Sequence, residues 1–280
     1  MDMPRTSAAR IAIIVAMERE VAPLIRHWNA RTIEHGGHQY QLFENAEAAL
    51  ICGGIGAEAA RRATEAIINL QAVKPTRVIS AGFAGALDDS LKVGDVLEPR
   101  IVINAADGVR TEVTRGEGIL VSYASVAGTE QKARLAKAYG AIAVDMEAAA
   151  VAQGAQAQGV EFGALKAVSD VAGFEMPDLD GFVSHDGSFR TARFAGHVAL
   201  RPRLWGTAIA LARNSSAASR ALCAALESYL SRAVLSREAT KSESLLPHLN
   251  QTNLAVLEDE TYAGAHTQGR TEEHTRTIAK

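Results

Sequence analysis

The sequence predicts a single α/β domain of three layers, with a mixed, mostly parallel central sheet flanked by helices. Apolar, strand-like runs alternate with helix-patterned segments over residues 10–175, the order typical of a parallel sheet covered by helices. Two shorter runs, His38–Glu44 and Ala48–Cys52, are joined by a short polar turn and predict an antiparallel hairpin. We therefore expect the sheet to be mixed.

The composition is that of an ordinary globular protein. With 280 residues, of which 48% are hydrophobic and 22% charged, the chain is long enough to bury a substantial core. The net charge is -3, and lysine and arginine are scattered, so we expect no nucleic acid partner. No apolar run reaches the roughly 18 residues of a membrane span, and the first residues lack the apolar core of a signal peptide. We expect a cytoplasmic protein with a small-molecule partner.

The first half of the chain predicts βα units in succession. A continuous run of branched apolar residues at 10–16 indicates a strand, and helical spacing follows over 18–27. The sequence GGIG at 53–56 breaks a second strand and opens a helix over 57–70. A further strand at 77–81 runs into the glycine-rich segment GFAGAL.

The second half continues the alternation. The predicted elements are strands near 97–103 and 118–124, a helix over about 129–138, and strands at 141–144 and 162–168. A helix begins directly after the strand at 141–144, within DMEAAAVAQGAQAQ, which is rich in good helix formers.

The composition changes near residue 232. We predict a catalytic domain over 8–232 that ends in helices interrupted near Arg201 and Pro202. Residues 233–280 are polar, have few aromatic side chains and show no sustained period. Such a segment cannot bury enough apolar surface to fold alone, so we predict a disordered tail.

Three acidic residues lie where strand-like runs stop: Glu20, Glu147 and Asp170. Ligands of open α/β sheets bind outside the carboxyl ends of the strands, so we expect one shared pocket. A buried Asp170 would retain a proton as general acid, and Glu20 would serve as general base. Structural explanations stay open, because Glu20 and Glu147 also complement a helix dipole, Asp145 also suits an N-cap, and Asp170 also suits a turn.

The segments AMEREVAPL, AVDMEAAAVA and AVSDVA, in this order, resemble the nucleoside phosphorylase family and, within it, the methylthioadenosine/S-adenosylhomocysteine nucleosidases. ISAGFAGAL followed by LKVGDV is similar to that family's central glycine segment. The resemblance implies a homodimeric purine nucleosidase that hydrolyses the N-glycosidic bond of a 5′-substituted adenosine. It implies that Glu20 takes a proton from water, Glu147 binds ribose hydroxyls and Asp170 protonates the purine N7.

The chain departs from the family pattern around the expected substrate. Phe83 replaces a small hydroxylated residue, Val126 or Tyr123 replaces an aromatic residue that stacks on adenine, and Lys166 is the basic residue of the last strand. We expect Ser169 to orient Asp170. The resulting substrate-binding set is Gly82, Phe83, Val126, Met146, Glu147, Lys166 and Ser169.

Two alternative functions stay open. The stretch from DGSF to RPRLWGTAIALARNSSAASRAL resembles the hopanoid-associated phosphorylase branch, which implies an adenosine with a large lipid at C5′ and an apolar groove with Phe83 and Phe174. The departures from the pattern also fit a nucleoside-binding protein without turnover. Glu20 favours hydrolysis over phosphorolysis, because this acid, next to Arg19, would repel phosphate.

The sequence predicts no metal and no cofactor. Cys52 and Cys223 lack metal-ligand spacing, and we interpret them as buried thiols. His185 and Asp186 have no second ligand pair nearby, and we interpret these two as loop residues. Neither a Walker motif nor a dinucleotide fingerprint is present. The GGIG segment is interpreted as a strand-to-helix turn and not as an anion site.

Overall fold

An eleven-stranded mixed sheet forms the centre of the protein, as the sequence predicts. The computed structural model describes residues 11–70, 74–175, 180–182, 184, 187 and 190–263. The strands are β1 (Ile11–Val15), β2 (Asn29–His35), β3 (His38–Glu44), β4 (Ala48–Cys52), β5 (Arg77–Ala86), β6 (Val96–Leu97), β7 (Ile101–Asn104), β8 (Arg110–Glu112), β9 (Ile119–Ser122), β10 (Ala143–Asp145) and β11 (Glu161–Asp170). The helices are α1 (Glu18–Ile25), α2 (Ala57–Asn69), α3 (Thr129–Tyr139), α4 (Ala148–Ala157), α5 (Thr191–Ala199) and α6 (Trp205–Ala263).

The strands run in the order β2-β3-β4-β1-β5-β10-β9-β7-β8, and β11 pairs with both β5 and β6. The central pairings of β1 with β4 and β5, and of β5 with β11, are parallel. β3 and β4 form the predicted antiparallel pair, and β2 adds a third antiparallel strand at the edge. Parallel neighbours place their carboxyl ends on one edge of the sheet, where the acidic residues of the sequence are expected.

Helices cover both faces of the sheet. Val102 and Leu120 pack with the first residues of α4, whereas Ile103 and Val121 pack with Leu135 of α3. Successive residues of a strand point to opposite faces, so α4 and α3 lie on opposite sides. The structure therefore has the three predicted layers.

Strand β5 changes partners along its length. It pairs with β1 only as far as Ser80, and with β10 at Gly85 and Ala86. Beyond Ser80, β5 and β1 separate, which opens a crevice at the carboxyl ends of the strands. Crevices where neighbouring strands diverge are the usual ligand sites of α/β sheets.

The sequence patterns missed β2 and β8, predicted β6 and β7 as one strand near 97–103, and shortened β5. β2 was not predicted because it is an edge strand in which only Ile33 is buried, so it lacks an apolar period. β8 has three residues, too few to show a pattern. β5 extends to Ala86, beyond the predicted 77–81, because its glycines are accommodated in the strand. The predicted interruption near Arg201 and Pro202 is confirmed between α5 and α6.

The chain divides into two compact units, Met1–Leu230 and Ser231–Lys280. The first contains the sheet, and the part of α6 that belongs to it buries the stripe Ala218, Leu222, Cys223, Leu226 and Leu230. In the second, the backbone is helical to Ala263, whereas the sequence predicts disorder from residue 233. Its many good helix formers, such as leucine, glutamate and lysine, account for the helical backbone. That this segment has no core of its own stays a prediction.

None of the helices in the described part of the chain combines the length and the hydropathy needed to cross a bilayer.

We expect Ile67→Ala to lower the free energy of unfolding by about 2–5 kcal/mol, because Ile67 of α2 is fully buried against the sheet and its truncation leaves a cavity. Glu65→Ala, on the exposed side of the same helix, is the control and should change stability by less than about 1 kcal/mol. Urea titration of both variants measures the difference. Equal losses would show that α2 does not pack as described.

Candidate active site

A cleft opens beside residues 83–85 of β5, near the carboxyl ends of β1, β10 and β11. Its lining includes Glu20, Glu147 and Asp170, together with a fourth acidic residue, Asp145. The structure thus brings together the acids that the sequence predicts to share a pocket. Of the predicted substrate-binding residues, those in the lining are Phe83, Val126, Met146, Glu147 and Ser169.

Gly82 and Lys166 lie beneath this lining. A side chain on Gly82 would stand 3.3 Å from Oε2 of Glu20, and its φ of +145° is one that residues with a Cβ rarely adopt. Gly82 therefore lets the carboxylate of Glu20 approach the backbone of β5. Lys166, on β11, is buried among the acidic residues.

Glu20 is buried in the first turn of α1. The backbone N–H of Met17 donates to its Oε2 at 3.2 Å. Burial raises the pKa of Glu20, while the Met17 amide, Lys166 and Arg19 act in the opposite direction. A carboxyl group whose pKa is raised toward neutrality suits general-base chemistry better than an ordinary exposed glutamate.

Glu147 precedes the first residue of α4, but its side chain makes no capping hydrogen bond. Its Oε1 instead accepts the N–H of Gly56 at 2.8 Å, and its Oε2 lies 3.3 Å from the N–H of Met146. Burial, and then repulsion from Asp145, raise the pKa of Glu147 to about 7. Glu147 therefore lines the cleft. Because its side chain makes no capping hydrogen bond, stabilising the end of α4 is not its main role.

Asp145 contacts the end of the helix instead. Its Oδ2 accepts the N–H of Ala148 at 2.8 Å, and its Oδ1 accepts the hydroxyl of Ser122 at 2.5 Å. The Nζ of Lys166 lies 2.8 Å from the same Oδ2 and donates to the hydroxyl of Ser80 at 3.1 Å. Asp145 therefore accepts the first amide of α4, although the N-cap residue is Glu147, so the N-cap prediction for Asp145 is wrong.

Lys166 is the cation of this group, with 1% of its side chain exposed. Desolvation lowers its pKa, but Asp145, Glu147 and Glu20 outweigh that effect, and the pKa is raised overall. The ammonium therefore stays charged and offsets part of the negative charge of the acids.

Asp170 ends β11 at an irregularity in its pairing with β5. The hydroxyl of Ser169 donates to its Oδ1 at 2.7 Å, the contact expected from a residue that orients it. Its Oδ2 forms an ion pair with Lys132, which also donates to the carbonyl of Val171 at 2.8 Å. A Cβ on Gly85 would lie 2.9 Å from Oδ2, so glycine leaves the room that this pair occupies.

Lys132 was missed by the sequence analysis. It lies on α3 one turn before Leu135 and two before Tyr139, both of which pack in the core. A lysine on the buried stripe of a helix is unusual, because burial of an unpaired ammonium is costly. That position was the available signal, and only the fold shows that Asp170 is the partner.

The aromatic contacts of the cleft differ from the expected family pattern. Phe83 and Val126 line it, whereas Tyr123, the other candidate for stacking on the base, packs with Leu87 and Ile103 in the core. Phe174 is not in the lining. The cleft therefore offers a base one aromatic face and aliphatic walls.

No group of three or more metal-ligating side chains occurs in the described part of the chain. His185 and Asp186, which were interpreted as loop residues, lie outside it. The absence of a metal site stays a prediction.

Comparison with known proteins shows that the chain is similar to proteins named as nucleosidases. The model of the phosphorylase superfamily matches residues 10–125 and 117–195. The 5′-methylthioadenosine/S-adenosylhomocysteine nucleosidase of Staphylococcus aureus is 31% identical, over 59% of this chain and 88% of its own. The corresponding enzyme of Colwellia psychrerythraea, solved in complex with adenine, is 24% identical with a TM-score of 0.51, over 59% of this chain and 84% of its own. The structure of Arabidopsis thaliana 5′-methylthioadenosine nucleosidase is 20% identical with a TM-score of 0.60, over 79% of this chain and 94% of its own.

We expect Glu147→Gln to change the pH dependence of stability. With a pKa raised from 4.5 to about 7, Glu147 stays protonated in the folded chain where it is ionised in the unfolded chain. Its contribution is complete below the unfolded value and is lost as the pH rises through about 7. Urea titrations between pH 4 and 8 should therefore show that the free energy of unfolding of the variant increases relative to that of the wild type as the pH rises. Glu112→Gln, on an exposed strand position, is the control, and parallel curves for Glu147→Gln would contradict the raised pKa.

Proposed function

Because this chain belongs to the phosphorylase superfamily, we propose that it is a purine nucleosidase that hydrolyses the N-glycosidic bond of a 5′-substituted adenosine and releases adenine. The observation that carries the proposal is the convergence of Glu20, Glu147 and Asp170 in one cleft. Such a reaction needs a group for the attacking water, one for the sugar and one for the departing base. The names of the nucleosidases to which the chain is similar support the substrate class.

Glu20 activates the water in this proposal. Water oxygen bonds to C1′ of the ribose and gives a proton to the Glu20 carboxylate, while the electrons of the C1′–N9 bond pass to the purine. A general base of this kind contributes about 10²–10⁴-fold in rate. Gly82 leaves room beside Glu20, and Met17 holds one of its oxygens.

Glu147 binds the sugar. Both of its oxygens accept backbone N–H groups, at 2.8 and 3.3 Å, and each oxygen keeps acceptor capacity for a ribose hydroxyl. Positive charge develops on the ribose as the glycosidic bond breaks, and carboxylates in a cleft shielded from water stabilise that charge. In this proposal Asp170, with its ion-pair partner Lys132, faces the leaving base.

Water is favoured over phosphate as the nucleophile. Glu20, Asp145 and Glu147 surround the buried Lys166, whose one positive charge offsets only part of their negative charge. An incoming dianion would be repelled by this excess. Arg19 also lines the cleft, and phosphorolysis would require it to bind the attacking phosphate.

The apolar walls suit a purine with a 5′ substituent. Phe83, Val126 and Ile55 line the cleft, which fits a flat base and an apolar 5′ group. A 5′-lipid adenosine, the alternative from the hopanoid-associated resemblance, would use the same walls. The identity of the 5′ group is therefore decided by assay.

We also propose that the protein acts as a homodimer in the cytoplasm. Leu200 is 84% exposed and Trp205 51% exposed, and together with Ile209 they present apolar side chains to solvent. Exposed apolar side chains near one another are typical of protein contact surfaces. Light scattering coupled to gel filtration gives the mass in solution.

The proposal predicts that the wild type releases adenine from at least one of 5′-methylthioadenosine, S-adenosylhomocysteine and a 5′-lipid adenosine. Phosphate should not stimulate release. Glu20→Gln should lower kcat by about 10²–10⁴-fold, because the amide cannot accept the water proton. Adenine release with and without phosphate, followed by liquid chromatography, measures both effects.

The control for Glu20→Gln is Glu18→Gln, an exposed position on the same helical turn, which should retain activity. Formation of a sugar 1-phosphate would contradict hydrolysis and show that the reaction is phosphorolysis. Binding of these nucleosides without release of adenine from any of them would support the non-catalytic alternative.

A further inference from the structure

The proposal above uses Asp170 but gives no role of its own to Lys132, with which Asp170 forms an ion pair. Lys132 of α3 and Asp170 of β11 are 2% and 4% exposed at their side chains, and both line the cleft. Pairing two charges where water is excluded is costly unless their geometry and hydrogen bonds compensate. A buried pair that also faces a ligand site is placed where it can contact the ligand.

The hydrogen bonds of this pair leave a ligand one donor on Lys132 and free acceptor positions on Asp170. An ammonium has three N–H groups, and Lys132 directs two of them to Oδ2 of Asp170 and the carbonyl of Val171. A carboxylate has about four acceptor positions, of which the Lys132 ammonium and the Ser169 hydroxyl use two. Lys132 therefore keeps a donor and Asp170 keeps acceptors.

This arrangement matches one edge of adenine. Adenine presents N7 as an acceptor and its 6-amino group as a donor, whereas a 6-oxopurine presents two acceptors on the same edge. We propose that Lys132 donates to N7 and gives it a proton as the base leaves, while Asp170 accepts from the 6-amino group. This inference rests on the proposed function and replaces Asp170 by Lys132 as the proton donor.

The contacts of Asp170 argue against a proton on its own oxygens. A proton on Oδ2 would point at the ammonium of Lys132, donor against donor, and Oδ1 already accepts from Ser169. The transferable proton of the pair therefore resides on Nζ of Lys132. Asp170 holds Lys132 in place and stays an acceptor.

The step balances. The C1′–N9 bond breaks and its electron pair passes into the purine, N7 takes a proton from Nζ of Lys132, and water bonds to C1′ as it gives a proton to Glu20. Lys132 is left as a neutral amine and Glu20 as a carboxylic acid. Exchange with solvent returns both groups to their starting states after adenine departs.

Two variants of Lys132 test the inference. Lys132→Arg keeps the positive charge beside Asp170 but cannot release a proton, because a guanidinium stays protonated. Lys132→Met removes both charge and donor. The substrates are 5′-methylthioadenosine and a 4-nitrophenyl glycoside of 5-methylthioribose, whose leaving group departs as an anion without a proton.

We expect both variants to lose about 10²–10⁴-fold in kcat on 5′-methylthioadenosine and less than tenfold on the nitrophenyl glycoside. Lys137→Met, an exposed lysine on the same helix, is the control for both substrates. If Lys132 only positions Asp170, the arginine variant recovers activity on 5′-methylthioadenosine to within tenfold of wild type. That recovery, full activity of Lys132→Met, or equal losses on both substrates would overturn the inference.

The double variant Lys132→Met/Asp170→Asn separates folding from chemistry, because it removes both charges and leaves neither unpaired. It should unfold cooperatively, cleave the nitrophenyl glycoside and fail on 5′-methylthioadenosine. Failure of the wild type on every 5′-substituted adenosine would contradict the proposed function instead. An active wild type with an equally active Lys132→Arg variant would contradict only the role of Lys132.

Discussion

The ammonium of Lys166 holds the acidic residues of the cleft together. Its Nζ lies 2.8 Å from Asp145 and 3.1 Å from the hydroxyl of Ser80, so it links the end of β10 to the middle of β11 and β5. Glu20 and Glu147 both act on its pKa. Carboxylates confined in a cleft with little water repel one another, and without a cation they would take up protons or move apart. Removing one partner of such a buried pair commonly costs about 3–5 kcal/mol.

The cleft contains two cations with different surroundings. Lys166 lies among the carboxylates proposed for water and sugar, and offsets only part of their charge. Lys132 pairs with Asp170 alone, at the end proposed for the base. Charge developing during cleavage is positive on the sugar and negative on the purine. An excess of carboxylate at one end and a proton-bearing ammonium at the other match these opposite charges.

The sequence predicts the layers, most of the strands and the convergence of Glu20, Glu147 and Asp170, because apolar periodicity and strand-end position are local properties. Edge strand β2 was not predicted, because most of its residues are polar and exposed. The sequence also could not predict which side chains pair in the cleft. Lys132 and Asp170 are 38 residues apart in the chain, and only the fold brings them together. The roles of these residues follow from the family resemblance and from their chemistry.

The central claim is that a carboxylate-rich cleft delivers water to C1′ of a purine nucleoside. Turnover in ¹⁸O-labelled water containing phosphate, with mass spectrometry of the sugar product, measures that delivery. The account predicts one ¹⁸O atom at C1 of a free sugar from the first turnover onward. Because a free sugar also exchanges this oxygen slowly with water, the product is reduced with borohydride at once, and unlabelled sugar exposed to the same water is measured in parallel. Unlabelled product, or a sugar 1-phosphate, would contradict the account.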